Sequence, residues 1–211
     1  MFTGIIENIG LVKEVISEGS NKSFWITSVI SNELKIDQSI AHNGVCLTVV
    51  DLKEGEHLVT AIDETLQRTN LERWEIGKFV NLERCMKLGD RLDGHMVQGH
   101  VDQKGRVEKI EDAGGSWIYE IGFDSKSENI TVEKGSICVN GTSLTVVKSE
   151  KGLFSVAIIP YTYENTVFKY LKMGDEVNLE FDIVGKYISK MFSLQYADKI
   201  NENNMHNNFG K

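Results

Sequence analysis

Asn43-Gly44-Val45-Cys46-Leu47-Thr48-Val49-Val50 returns downstream as Asn140-Gly141-Thr142-Ser143-Leu144-Thr145-Val146-Val147, at a constant offset of 97 positions. The same offset pairs Ser39 with Ser136, Ile40 with Ile137, Thr65 with Thr162, Thr69 with Thr166, Gly77 with Gly174, Asn81 with Asn178 and Glu83 with Glu180. Toward the N-terminus the offset becomes 95, pairing Gly4 with Gly99, Ile6 with Val101, Gly10 with Gly105 and Val12 with Val107. A solenoid unit runs about 20 to 50 residues, so this period is that of a small domain. Two homologous domains are expected, at 1–94 and 95–184. One difference between the copies changes their chemistry: Cys46 stands where the second copy has Ser143.

With 41% hydrophobic and 26% charged residues among 211, the chain has the composition of an ordinary globular protein. No run approaches the roughly 18 apolar residues of a membrane span, and Met-Phe-Thr-Gly-Ile-Ile has neither the basic flank nor the cleavage site of a signal peptide. Cys46, Cys85 and Cys138 cannot all pair within one chain and lack zinc or redox spacing, so a reducing cytosol is expected. A net charge of -8 without a lysine-arginine cluster argues against nucleic acid or an anionic membrane as partner.

Each half reads as short strands punctuated by turns. Residues 9–15 and 24–29 flank a hairpin in which Gly19 supplies positive φ. Residues 39–50 form a strand that a bend or bulge interrupts at Asn43-Gly44. Residues 57–62 pair back, Asp63 caps a short helix over 66–74, and 80–84 close the unit. The second half repeats the order over 106–110, 117–123, 136–147, 153–159, a helix in 162–170, and 177–181, with the single proline, Pro160, at a strand end. This predicts an all-β fold of two tandem homologous six-stranded Greek-key barrels, because closure removes exposed edges. Over 185–200 the period changes: Tyr187, Ile188, Met191, Phe192 and Leu194 make one apolar helical face. A C-terminal helix this short is marginal alone in water, so it is expected to pack on its own barrel or on other subunits. Residues 201–211 are polar and expected to be disordered.

Cys46 could be a small buried hydrophobe, but Ser39, Asn43 and Thr48 bring more polar side chains into its stretch than a core strand requires. Ser143 and Thr145 do the same in the second copy. His95 and His100 bracket Met96-Val97-Gln98-Gly99; five apart on a strand-like segment, they face opposite sides and share no metal. His100 replaces Ile5 of the first copy without a packing motive, and imidazole suits proton transfer at neutral pH. Asp182 reads as a capping or a working carboxylate, and Lys134, before Gly135, as a turn lysine. There is no P-loop, Gly-x-Gly-x-x-Gly or His-Glu-x-x-His. The residues predict a metal-free site for a small ligand, present twice and made unequal.

Met1-Phe2-Thr3-Gly4-Ile5-Ile6-Glu7, Asn43-Gly44-Val45-Cys46-Leu47-Thr48-Val49, Gly94-His95-Met96-Val97-Gln98-Gly99-His100-Val101-Asp102 and Gly141-Thr142-Ser143-Leu144-Thr145, in this order, resemble the motifs of the riboflavin synthase family. The resemblance runs from Met1 to about residue 195. It implies two six-stranded barrels, a C-terminal helix tying three chains into a cytoplasmic homotrimer, and an active site between the N-terminal barrel of one subunit and the C-terminal barrel of another. It also implies association with lumazine synthase. The implied reaction is the last step of riboflavin biosynthesis, a dismutation in which two molecules of 6,7-dimethyl-8-ribityllumazine exchange a four-carbon unit to give riboflavin and 5-amino-6-(ribitylamino)uracil, with no cofactor or metal. Two identical heterocycles need two similar facing pockets, one donating and one accepting. His100 is then the base or relay for a methyl proton, and a thiol, hydroxyl or water adds to the partner ring.

Carried over by motif, Phe2, Ser39, Cys46, His100, Ser143, Thr145 and Asp182 match the family's active-site residues. The ligand-contacting positions are Gly4, Ile5, Ile6, Cys46, Leu47, Thr48, Thr60, Ala61, Ile62, Asp63, Glu64 and Thr65 in the first copy. Gly99, His100, Val101, Lys134, Ser143, Leu144, Thr145, Ile158, Ile159, Pro160, Tyr161, Thr162 and Tyr163 follow. Asn140 stands where the family commonly has Asp; it can hydrogen-bond but cannot accept a proton as a carboxylate does. Lumazine proteins, non-catalytic relatives of similar fold, are the rival expectation, but in them the reactive positions decay, and here Cys46, His100, Ser143, Thr145 and Asp182 all remain. An oligonucleotide-binding barrel fits the fold class and fails on charge.

Overall fold

The computed structural model describes residues 1–125 and 129–208, the stretch 196–208 by backbone alone. Its first six strands are β1 (Asn8–Glu18), β2 (Asn21–Thr27), β3 (Ser39–His42), β4 (Val45–Lys53), β5 (Glu56–Ala61) and β6 (Phe79–Arg84). They close into an antiparallel barrel in the order β1-β2-β5-β4-β3-β6. β7 (Gln103–Asp112), β8 (Trp117–Gly122), β9 (Ser136–Val139), β10 (Thr142–Glu150), β11 (Leu153–Ile158) and β12 (Glu176–Phe181) close the same circuit again.

Strict alternation decides which residues fill each barrel. Val12, Phe24, Ile26, Ile40, Leu47, Val49, Val59 and Val80 point inward in the first, and Val107, Tyr119, Ile121, Ile137, Val146, Val156 and Val177 in the second. Burying each such side chain contributes roughly 1.5–3 kcal/mol. Register shifts after Val12 and Val49 recur after Val107 and Val146, and these bulges bend the long strands enough to close the barrel.

Four local expectations are corrected. Asn43-Gly44 is not a bulge but a full two-residue hairpin turn between β3 and β4, with φ of 45° and 78° at its two residues; asparagine followed by glycine is the pair that tolerates this turn. The helix expected over 66–74 is broken: α1 (Asp63–Arg68) ends before Thr69, and a 3₁₀ turn follows over Asn70–Arg73. Thr69 causes the break by donating its hydroxyl to Thr65 O and accepting from Leu71 N, and Asp63 is the first helical residue, with no side-chain cap before it. Pro160 does not end a strand but opens α2 (Pro160–Asn165), where its missing N–H is not needed; a 3₁₀ turn over Val167–Tyr170 completes the copy. Finally, α3 (Ile183–Asn208) starts before residue 185 and continues past 200; it takes Gly185 into its first turn, and no further glycine or proline follows until Gly210. Residues 209–211 of the expected tail lie outside the described residues.

Lys186 Nζ, 2.7 Å from both carboxylate oxygens of Asp102, ties the start of α3 to the second barrel. Beyond it Tyr187, Ile188, Met191, Phe192 and Leu194 are all exposed, so their own barrel does not cover them. Among the described residues no helix is long and apolar enough to cross a membrane.

Candidate active site

The two Asn-Gly turns meet each other. A Cβ on Gly44 would lie 2.8 Å from Gly141 N, and one on Gly141 would lie 2.7 Å from Gly44 N, so a local two-fold axis passes between them. Around it Asn81 Nδ2 donates to Asn140 O at 2.8 Å and Asn178 Nδ2 to Asn43 O at 2.9 Å. The amide oxygens accept in turn from the 3₁₀ segments: Asn81 Oδ1 from Val167 N and Asn178 Oδ1 from Asn70 N. Asn140, 1% exposed, uses its side-chain oxygen to accept from Asn178 N, as Asn43 accepts from Asn81 N. Its place is in the seam that holds the barrels together.

Two leading segments thread this seam. Phe2 and Val97 form an antiparallel bridge, packed against Ala41 on one barrel and Cys138 on the other. Each segment is gripped by a buried carboxylate. Glu83 accepts from Thr3 N, Thr3 Oγ1 and Gly4 N at 2.6, 2.7 and 3.0 Å; Glu180 accepts from Gln98, Gly99 and His100 N at 2.6, 2.9 and 2.8 Å. Burial raises the pKa of both acids and these hydrogen bonds oppose it. The segments then lie against β4 and β10: Cys46 N donates to Gly99 O and Ser143 N to Gly4 O. Only glycine fits there, since Gly99 has φ +82° with Cys46 Cβ 2.5 Å from its missing side chain, and Gly4 has φ +78° with Ser143 Cβ at 2.6 Å.

Because Leu47 and Val49 point into the barrel, Cys46 and Thr48 face out, and Ser39 joins them from β3 across the pair Ser39–Thr48. Ser143, Thr145 and Ser136 repeat this on the second barrel. Ser39 beside it favours the Cys46 thiolate, but burial outweighs that and pushes the thiol's pKa up, so it is a thiol rather than a thiolate at neutral pH. At Ser143 the partner is a histidine: His95 Nδ1 lies 2.7 Å from Ser143 Oγ. Burial lowers the His95 pKa, and the charge of Asp182 works against that. Asp182 also accepts from Val184 N with Oδ1 at 2.9 Å and so caps α3.

Sequence reasoning passed over His95. At offset 95 it has no counterpart in the sequence to be compared with, and its partner is 48 residues away across the seam. It also gave no role to Glu83 and Glu180, though their pairing was visible. Phe2 is fully buried and packs the seam with Ala41, Val97 and Cys138. His100 is exposed, and its main-chain N–H donates to Glu180. Gly4 and Gly99 are buried, and Leu47, Ala61, Leu144 and Ile158 point toward the barrel interiors, so these positions offer a ligand main-chain groups alone. Ile5, Ile62, Asp63, Glu64, Lys134, Ile159, Pro160 and Tyr161 are exposed, Ile6, Thr65, Val101 and Thr162 half-buried, and Tyr163 stacks on Trp117 at 3.8 Å.

The lumazine binding domain family matches residues 3–85 and 98–182, which makes the chain a tandem lumazine-binding-domain protein. The riboflavin synthase of Actinobacillus pleuropneumoniae is 39% identical over 204 residues, 96% of this chain and 95% of that protein. The riboflavin synthase of Bacillus subtilis (strain 168) is 36% identical over 96% and 93% of the two chains, and that of Mycobacterium bovis 40% over 90% and 98%. The chain belongs to the riboflavin synthase family and is a transferase of that type. A crystal structure of LumP complexed with riboflavin has the same fold, with a TM-score of 0.80 at 23% identity over 86% of this chain and 99% of that one.

Proposed function

We propose that the outward faces around Cys46 and Ser143 are two unequal lumazine pockets, and that the chain dismutates two molecules of 6,7-dimethyl-8-ribityllumazine into riboflavin and 5-amino-6-(ribitylamino)uracil without cofactor or metal. The observation that carries this is the pairing of equal geometry with unequal chemistry. The same strand positions present a protonated thiol beside Ser39 in one barrel and a hydroxyl beside a neutral histidine in the other. A reaction between two identical rings needs such a difference, since one ring must give and the other receive.

The packing supports an assembly of several chains. Within one chain the Phe2–Val97 bridge is wedged between Ala41 of one barrel and Cys138 of the other, and in this reading two rings stacked on each other take their second face from another chain. The uncovered apolar residues of α3 supply a contact for it, and three chains joined through α3 satisfy both requirements. Cys46, Cys85 and Cys138 are all unpaired, which supports a cytoplasmic location.

Incubating the purified protein with the lumazine alone tests the reading: riboflavin and the pyrimidine should appear in equal amounts. Binding without turnover would make the protein a lumazine carrier instead. Sedimentation of the full chain and of one truncated before Gly185 tests the assembly; the trimer and most of the activity should be lost together.

A further inference from the structure

The outward faces differ beyond Cys46 and Ser143. In the first barrel Ser23 pairs with Thr60 across β2 and β5, and Ser39 with Thr48 across β3 and β4. Val49 and Val59 set the register of β4 with β5, which puts Thr48 next to Thr60. Ser23, Thr60, Thr48 and Ser39 thus form one row of four hydroxyls across neighbouring strands, about 14 Å long at roughly 4.8 Å per strand. In the second barrel Ile118 pairs with Ala157, Thr145 with Ser136, and Val146 with Val156, so the equivalent row reads Ile118, Ala157, Thr145, Ser136. The halves nearest the reactive groups are the same. The far halves are hydroxyl in one barrel and hydrocarbon in the other.

Nothing in the first barrel's packing asks for those hydroxyls, since the inward residues on either side of them, Phe24, Val59 and Ala61, already fill the core. Ser23 Oγ and Thr60 Oγ1 lie 2.8 Å apart, half-buried. One hydrogen shared between them leaves the pair a second hydroxyl hydrogen and free lone pairs for a ligand. A ring placed over Thr48 and Ser39, beside Cys46, would send a short polyol chain along the row toward this pair.

We propose that Ser23 and Thr60 form a polyol-recognising subsite present in the first pocket alone. Resting on the lumazine reading above, it makes the first pocket the tighter one and the one that distinguishes an 8-ribityl from an 8-alkyl lumazine. A site built to hydrogen-bond a hydroxyl rejects ligands that lack it far more strongly than an apolar wall rejects those that carry it.

Titrating the full-length protein with 6,7-dimethyl-8-ribityllumazine and with 6,7,8-trimethyllumazine reads this directly. The wild type should show two affinity classes for the ribityl compound and a single weak class for the trimethyl one. Ser23→Ile/Thr60→Ala, which copies the second barrel, should weaken the tight class by about tenfold to a hundredfold and leave the trimethyl compound unaffected. The single Thr60→Val, close in shape and outward on its strand, should show a smaller loss in the same direction and keeps the test open if the double variant does not fold. Folded variants that bind the ribityl compound as tightly as the wild type would overturn the subsite while leaving riboflavin formation intact. A wild type that binds neither lumazine would overturn the lumazine reading and the subsite with it.

Discussion

Ser143 Oγ and His95 Nδ1 lie 2.7 Å apart, on a histidine that is 9% exposed. Neutral because of its burial, the ring can take the hydroxyl hydrogen as Ser143 engages a bound ring. His95→Ala is expected to lower turnover by about 10²- to 10⁴-fold with little change in lumazine affinity. His95→Asn keeps an acceptor near Ser143 without the ability to take a proton, so it should fold normally and stay slow. Separate kcat and Kd measurements decide; recovered turnover in His95→Asn would reduce His95 to positioning.

Cys46→Ser reproduces the second pocket's residue in the first. With the thiol protonated by burial, little nucleophilic advantage is lost, and turnover should stay within about threefold of wild type. His100→Gln is its counterpart at an exposed position. If His100 moves the methyl proton, turnover falls by about 10²- to 10⁴-fold with binding kept, and a rate near wild type removes that role.

His42 and His57 sit fully buried in the first barrel, Nε2 to Nε2 at 2.9 Å. His42 Nδ1 donates to Ile40 O, so its Nε2 accepts from His57, whose Nδ1 accepts from Ser31 Oγ. Every nitrogen is used with both rings neutral. Burial pulls His57 down to about 4 and His42 well below its ordinary value. An unfolded chain protonates both near about 6.5, so stability is full above that pH and falls as pH drops toward about 4. The second barrel has Val139 and Phe154 at these places. His42→Val/His57→Phe should therefore flatten the acid decline of Tm with turnover at neutral pH unchanged, and an equally steep decline would place it in other groups.

Gly99→Ala puts a Cβ 2.5 Å from Cys46 Cβ and 2.8 Å from Phe2 Cε2 at φ +82°. It should cost more than about 2 kcal/mol in denaturant unfolding and disturb the first pocket. Gly19→Ala, with φ +62° and open space around it, isolates the backbone strain and should cost only about 1 kcal/mol.

The barrels were legible because alternation and repeat offset are properties of neighbouring residues, and turn glycines such as Gly19 mark the corners. The Thr69 break was not, because a threonine hydroxyl can cap a new turn as readily as it can sit inside a helix. Cys46 and Ser143 stood out by their difference within a shared stretch. The pairing of Ser143 with His95 did not, since it joins segments from opposite sides of the seam. Glu83 and Glu180 were visible only as a repeated pair; the main-chain N–H groups that hold them lie on segments distant in sequence, which no side-chain pattern reveals.

Gly44 and Gly141 touch backbone to backbone, and neither leaves room for the other to gain a side chain. The two positions are therefore under the same constraint: a substitution at either one pushes the halves apart, whatever stands at the other. Two residues further on, Cys46 and Ser143 face outward and escape that constraint. A duplicated gene under this constraint must keep its halves alike along their common axis and can let them specialise only at the rim, which is where a reaction between twin molecules needs its partners to differ.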